Sequence, residues 1–333
     1  MSEKSFGTHT TKRVLVHGWY YQGNLGDDLF MDAFKHLFPS YSLTFVNYIT
    51  LHDLQNTDAV FIGGGSFLSE PLSIEDDSAL EKLKQLPIFY IGVGGETDIH
   101  PTHHDLISIA KLVAIRSLYH LDKIKKINTN TIVIPDLVYS LSDIELLSKL
   151  DKSILILPNA MVIPKWNEPH WKHTAWEQFK NELAQLLDEL IDLGYQINFL
   201  PLSLSDEFND HAAAQEIVGR MIHRESRFFL NKKNNAVDVI KLISQYSVVI
   251  TQRYHGIVLS EMAQVPYLSI YHHDKLKNCL GSKLCYYGTY KSQILEQLNS
   301  LLKMKTSNIL PIDRDIFSEL TQKVEYALCG HQE

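Results

Sequence analysis

Cysteine is scarce. The 333 residues hold three, Cys279, Cys285 and Cys329. They are too few and too scattered for a disulfide framework or a zinc site, and they read as free thiols of a reducing compartment. Positive charge is also in short supply: 31 Lys and Arg stand against 39 Asp and Glu, for a net −8. No basic block or interleaved basic and aromatic stripe occurs, which argues against nucleic acid as a partner. Long apolar runs are missing, and none approaches the length of a membrane span. The opening MSEKSFGTHTTKR lacks the apolar core of a secretory signal, so the expected location is cytoplasmic. Nucleotide fingerprints are lacking as well. The glycine-bearing stretch HGWYYQGNLGDD (17–28) is neither GxGxxG nor a Walker loop, because no GK[ST] follows. Histidines number 16, but HPTHH (100–104) and YHHDK (271–275) do not form HExxH. They read as structural or surface residues, and no metal is expected.

What is present is an ordinary globular composition, 45% apolar and 21% charged, long enough for two domains with substantial cores. Short apolar runs alternate with helical patterns. RVLVHG (13–18), LTFVNY (43–48), AVFIGGG (59–65), IFYIGVGG (88–95), LVAIRS (112–117) and TIVIPD (131–136) are continuous, as strands covered on both faces must be. The pattern restarts at SILILPN (153–159). A long helix follows, with Trp176, Phe179, Leu183, Leu186, Leu187 and Leu190 on one face and Gly194 as its stop. The spacing predicts an α/β protein with two Rossmann-like parallel-sheet lobes in tandem and a helical C-terminal tail. The expected domains are 12–150, 151–290 and 291–333, with tail helices over 291–303 and 315–328. Two such halves meet at a cleft, and ligands of open parallel sheets lie beyond the carboxyl ends of the strands.

Four strand ends draw notice. In the first, Asp27 and Asp28 stand at a helix start, which suits either capping or acceptor binding and proton abstraction. In the second, Gly63, Gly64 and Gly65 offer bare N–H groups for an anion or sugar, or else a tight turn with close packing; GVGGE (92–96) reads the same way. In the third, Arg116 leaves a strand either for the surface or for an anion in the cleft. In the fourth, Arg253 and His255 follow the strand SVVIT and precede a helix. Two residues apart, they share a side if the segment is extended. Arg suits bidentate anion contacts, and His is poised to give or take a proton. The alternative is an ion-paired Arg and a capping His.

The ordered set Asn24-Leu25-Gly26-Asp27, Gly63-Gly64-Gly65, Ile115-Arg116-Ser117, Pro135-Asp136-Leu137, Arg253-Tyr254-His255 and Tyr271 to Lys275 resembles the polysaccharide pyruvyl transferase family over most of the chain. The resemblance implies a GT-B-like fold. It implies transfer of a pyruvyl group from phosphoenolpyruvate to two hydroxyls of a sugar or glycan, forming a ketal in exopolysaccharide biosynthesis, with no further cofactor. Arg253 would hold the donor and His255 would protonate its methylene carbon. Asp27 would act as base or acceptor ligand, and Asn24, Gly26, Gly64, Gly65, Arg116 and Lys275 would be further substrate contacts. Three positions depart from the pattern. Ser117 stands where Asp is usual, Leu137 where Pro is, and Asn159, a candidate contact itself, where members often carry Arg; Lys165 is a possible substitute. A nucleotide-sugar glycosyltransferase is the competing enzyme, left open by Tyr254 and Tyr271. A silent carbohydrate-binding relative is the non-enzymatic alternative.

Overall fold

The computed structural model describes residues 11–66, 68–95, 98–141, 144–160, 163, 165, 167–224, 227–228, 235–270, 285–286, 291–303 and 313–329. The expected contact Lys275, with Tyr271, lies outside them.

The first sheet holds β1 (Arg13–His17), β2 (Ser42–Val46), β3 (Ala59–Gly65), β4 (Ile88–Val93), β5 (Leu112–Ile115) and β6 (Thr131–Val133) in the order β2-β1-β3-β4-β5-β6. Every pairing is parallel. All residues of β3, β4 and β5 are buried, whereas the edge strand β2 is not. This is why the central strands read as unbroken apolar runs. Between the strands run α1 (Leu25–Leu37), α2 (Leu51–Gln55), α3 (Asp77–Lys84), α4 (Pro101–Ile109) and α5 (Leu121–Ile127). Their starts are fixed locally. Thr50 and Asp53 form a capping box on α2, Asp76 caps α3, and Pro101 opens α4.

The second sheet holds β7 (Ser153–Leu157), β8 (Gln196–Phe199), β9 (Arg227–Phe228), β10 (Val248–Thr251), β11 (Tyr267–Ile270) and β12 (Cys285–Tyr286) in the order β12-β11-β10-β7-β8-β9, again all parallel. Its helices are α6 (His170–Asp192), α7 (Asp210–Val218), α8 (Ala236–Ser244), α9 (Tyr254–Met262) and α10 (Lys291–Lys303). The six apolar residues expected on one face of α6 are all buried. α6 ends in a Schellman motif, with Tyr195 N–H on the Leu190 carbonyl and Gly194 N–H on that of Ile191. The last helix, α11 (Asp315–Cys329), buries Phe317, Leu320 and Val324 and packs on β5.

Chain contacts divide the molecule into one unit of residues 1–20, 33–137 and 314–333 and another of residues 21–32 and 138–313. The sequence pattern put the first join near 150, because strands and helices alternate on both sides of it. Packing instead moves it to 137/138 and gives the N-terminal turns of α1 to the second unit. It also parts the two tail helices. Ile294, Leu298 and Leu301 of α10 enter the core of the second unit, while α11 belongs to the first.

Candidate active site

In the second sheet the strand order reverses between β7 and β10, and open parallel sheets hold ligands at such a switch point. Thr251 ends β10, Gln252 and Arg253 follow, and α9 begins at Tyr254. Asn159, just past β7, joins the two strand ends: its backbone N–H donates to Gln252 Oε1 and its Nδ2 to the Gln252 carbonyl, each at 3.3 Å. Arg253 directs its guanidinium onto the fully buried Asp210 at the start of α7. Nε donates to Oδ2 at 2.9 Å and Nη2 to Oδ1. The same carboxylate accepts the N–H groups of Ala160 (2.8 Å), Leu202 (3.2 Å) and Ser203 (2.8 Å). Asp210 thereby ties the ends of β7, β8 and β10 together.

The segment ahead of α1 is bound into the same unit. Asn24 forms an antiparallel bridge with Ser203, and Leu25 N–H donates to the Leu202 carbonyl at 2.8 Å. Asn24 caps α1 by accepting the Gly26 N–H at 3.3 Å, and its Nδ2 donates to Asp27 Oδ2 at 2.6 Å. Gly26 lies against the His255 ring: a Cβ placed on it would stand 2.1 Å from Nδ1, so only glycine fits. The rings of Phe30 and Tyr254 meet His255 edge-on at 5.3 and 5.2 Å. Asp28 accepts the Tyr21 N–H at 2.8 Å; burial, reinforced by Asp32, raises its pKa above the usual carboxylate value.

In the first unit the order reverses between β1 and β3. His17 ends β1, and burial, with His103 adding to it, lowers its pKa to about 4. Gly64 and Gly65 end β3 with φ of +74° and +150°, which a side chain would strain. Arg116, past β5, donates Nη1 to Asp136 at 2.5 Å and Nη2 to Ser66 at 2.7 Å, and the side chains of the pair are 2% and 0% exposed. Arg116 is therefore neither a surface arginine nor an open anion contact but half of a buried ion pair.

A sequence profile described as polysaccharide pyruvyl transferase matches residues 24–274. The chain belongs to the polysaccharide pyruvyl transferase family. No curated protein matches the sequence. Among solved structures, S. aureus MnaA in its UDP co-structure aligns at a TM-score of 0.58 and 13% identity over 97% of this chain and 98% of that one. UDP-N-acetylglucosamine 2-epimerase from Rickettsia bellii aligns at 0.58 and 12% over 97% of both chains. The UDP-GlcNAc 2-epimerase of Methanocaldococcus jannaschii aligns at 0.58 and 9% over 95% of this chain and all of that one, 100%. At such identities the likeness shows the fold alone, which is GT-B-like.

In this pyruvyl transferase family member, Asn24, Gly26, Asp27, Asn159, Arg253 and His255 fall in the second unit, whereas Arg116, Gly64 and Gly65 fall in the first. Strand alternation does not set the sides of Arg253 and His255. Arg253 is extended at φ −108° and ψ 139°, but it is the N-cap of α9, and His255 is already in the first helical turn. Arg253 makes no side-chain cap bond there. Lys165 is 69% exposed and lies 3.7 Å from Glu207, a surface pair. Asp210 went unnoticed in the sequence because Asn209-Asp210 before an Ala-rich run reads as a helix cap. Asn209 does cap α7, and nothing in the spacing links 210 to 253. Asp28 stands out in the sequence together with Asp27, but its raised pKa comes from burial and Asp32, which the spacing does not show. Among the described residues, no group of three or more His, Cys, Asp or Glu could hold a metal ion, and no helix is long and apolar enough to cross a membrane.

Proposed function

We propose that the protein transfers the pyruvyl group of phosphoenolpyruvate to two hydroxyls of a sugar in a glycan or its precursor. The observation that carries this reading is the approach of Gly26 to the His255 ring. It joins the Asn24–Asp27 element and the Arg253–His255 element, far apart in sequence, within one unit. Both elements are those by which the chain resembles its family.

The chemistry needs an acid, a base and an anion site. A proton adds to the methylene carbon of phosphoenolpyruvate, two sugar oxygens bond to the neighbouring carbon, and the bond from that carbon to the phosphate oxygen breaks. Of the two hydroxyl protons, the methyl group gains one in net terms and phosphate leaves with the other. His255 supplies the acid. Asp27, next to the raised Asp28, accepts a hydroxyl proton or orients the acceptor. Arg253 meets the donor's carboxylate or phosphate beside the N-terminus of α9, where backbone N–H groups favour an anion. Because Asp210 offsets the charge of Arg253, the helix terminus bears much of the donor's charge. Asn159 keeps β7 and β10 at the spacing the donor needs.

The test is phosphate release from phosphoenolpyruvate against a panel of sugar and glycan acceptors. Release that depends on both substrates, with a ketal in the product, supports the reading. The solved relatives include complexes with UDP and UDP-GlcNAc. A thermal shift with UDP-sugars and none with phosphoenolpyruvate would transfer the assignment to a glycosyltransferase. A saturating donor at about 100 times its dissociation constant adds roughly 2.7 kcal/mol to stability.

A further inference from the structure

We propose that Trp19 and Tyr48 form a stacking platform for an uncharged oligosaccharide on the first unit; the inference names the class of acceptor for the sugar-transfer reading above and rests on it. The two residues stand at neighbouring strand ends. His17 of β1 pairs with Val46 of β2, and Gly18 N–H donates to the Val46 carbonyl at 3.0 Å, so Trp19 and Tyr48 each lie two residues past the same ladder pair. Neighbouring strands run about 4.8 Å apart. Trp19 is 52% exposed and Tyr48 47%. Each is held in place by the buried residue that follows it. The Tyr20 ring folds back beneath Gly18, where a Cβ would stand 2.6 Å from it; its hydroxyl donates to the Gly63 carbonyl at 2.6 Å, and it meets Phe45 edge-on at 5.3 Å. Ile49 is fully buried, bridges to Ile74 and donates its N–H to the Ser73 carbonyl at 3.0 Å. Single exposed apolar side chains are ordinary. Two large rings beside each other on a fixed backbone are different, because little freedom is lost when a ligand covers them.

The charge of this edge selects the occupant. The described first-unit residues that follow the strands of the first sheet are 18–20, 47–50, 66, 68–76, 94–95, 98–100, 116–117 and 134–136. They carry Glu70, Glu75, Asp76, Asp98 and Asp136 against a single Lys or Arg, Arg116. Asp136 engages Arg116, and Asp98 engages Lys123 of the neighbouring α5. An edge of this sign repels a phosphate, a nucleotide or an acidic lipid surface. A neutral pyranose suits it: its C–H face lies on the electron-rich face of an aromatic ring, and its hydroxyls donate to carboxylates. Tyr119, 52% exposed past β5, adds a third ring at the same edge. β5 stands four places from β2 in the sheet, about 19 Å at the usual strand spacing, which is further than one sugar ring reaches. The occupant is a chain of several neutral sugars.

The experiment uses the full chain without donor. It is titrated with neutral β-linked gluco- and galacto-oligosaccharides of increasing length, from the monosaccharide upward, and followed by saturation-transfer NMR and tryptophan fluorescence. At least one of the longer chains binds, and its monosaccharide binds more weakly by about tenfold or more. Trp19→Ala and Tyr48→Ala each weaken binding of the chain about tenfold, the loss of one stacking contact, whereas Trp19→Phe and Tyr48→Phe keep most of it. The melting temperature, and the thermal shift given by phosphoenolpyruvate, stay the same in all four. Binding of none of these glycans, equal binding of chain and monosaccharide, or folded alanine variants that bind as the wild type does overturn the proposal. So does UDP-GlcNAc binding that Trp19→Ala weakens, which would make the platform a nucleobase site. Glycan binding that needs both rings, in a protein that never releases phosphate from phosphoenolpyruvate, counts against pyruvyl transfer and leaves the platform standing.

Discussion

Each unit follows a core strand with an arginine that is engaged by a buried aspartate. Arg116 after β5 meets Asp136, and Arg253 after β10 meets Asp210. The enclosures differ. The Arg116 side chain is 2% exposed and reaches across to Ser66 beyond β3, whereas Arg253 keeps 11% of its side chain exposed. Asp210 does more than offset a charge: it also receives three backbone N–H groups, from Ala160, Leu202 and Ser203. It is a hub that fixes several segments around His255. A charged residue at the carboxyl end of a parallel strand can therefore be sealed in as scaffold or left partly open at a site, and its exposure tells the two apart.

The largest expected effect separates the units by chemistry. His255→Gln lowers kcat by roughly 10²–10⁴ in a phosphate-release assay with the melting temperature unchanged; wild-type turnover would leave His255 as packing for Gly26 and make both strand ends scaffolds. Next come the ion pairs. Asp136→Ala and Asp210→Ala each lower the unfolding free energy by about 3–5 kcal/mol in urea, as expected when one partner of a buried pair is removed. Arg253→Met with Asp210→Leu recovers little of that loss, because the three N–H groups lose their acceptor. Full recovery would remove Asp210 as a hub.

A smaller effect belongs to the first unit. His17 is held neutral at a folded pKa of about 4, below its unfolded value. Its contribution is fully present above the unfolded pKa near 6.5 and is lost as pH falls through that window towards 4. The change is about 3 kcal/mol at most, and His17→Asn flattens the profile. A wild-type curve with no slope between those pH values would remove this contrast. The smallest effect is that of Gly26→Ala, whose added carbon meets the His255 ring. Overpacking of this kind costs about 1–3 kcal/mol, with a drop in kcat that Gly64→Ala, in the other unit, reproduces only through stability.

The parts of the fold legible in sequence were those written in local periodicity. β3, β4 and β7 are buried throughout because helices cover both faces of their sheets, and α6 buries all six apolar residues expected on its one stripe. The site was legible only in its residue types. Arg253 and His255 follow β10 as expected, but strand alternation does not set their sides because α9 starts between them. Asp210 is invisible in the sequence for a different reason. A carboxylate becomes a hub through neighbours distant in sequence, and periodicity carries no trace of that. The join at 137/138 was missed because it is set by which core a segment enters, and both cores draw on the same apolar alphabet.

The division of the chain has a consequence for synthesis. The first unit needs α11, whose Phe317, Leu320 and Val324 are buried, so it stays uncapped while the whole second unit is translated. At roughly 5–20 residues per second that interval is on the order of ten seconds or more. β5 and its neighbours meanwhile wait on the ribosome without the helix that packs on them. Folding of the first unit is thus completed by a helix that is translated after the whole second unit. A stop codon ahead of residue 315 would release a protein with an intact second unit and an incomplete first one, open to aggregation and to chaperone capture.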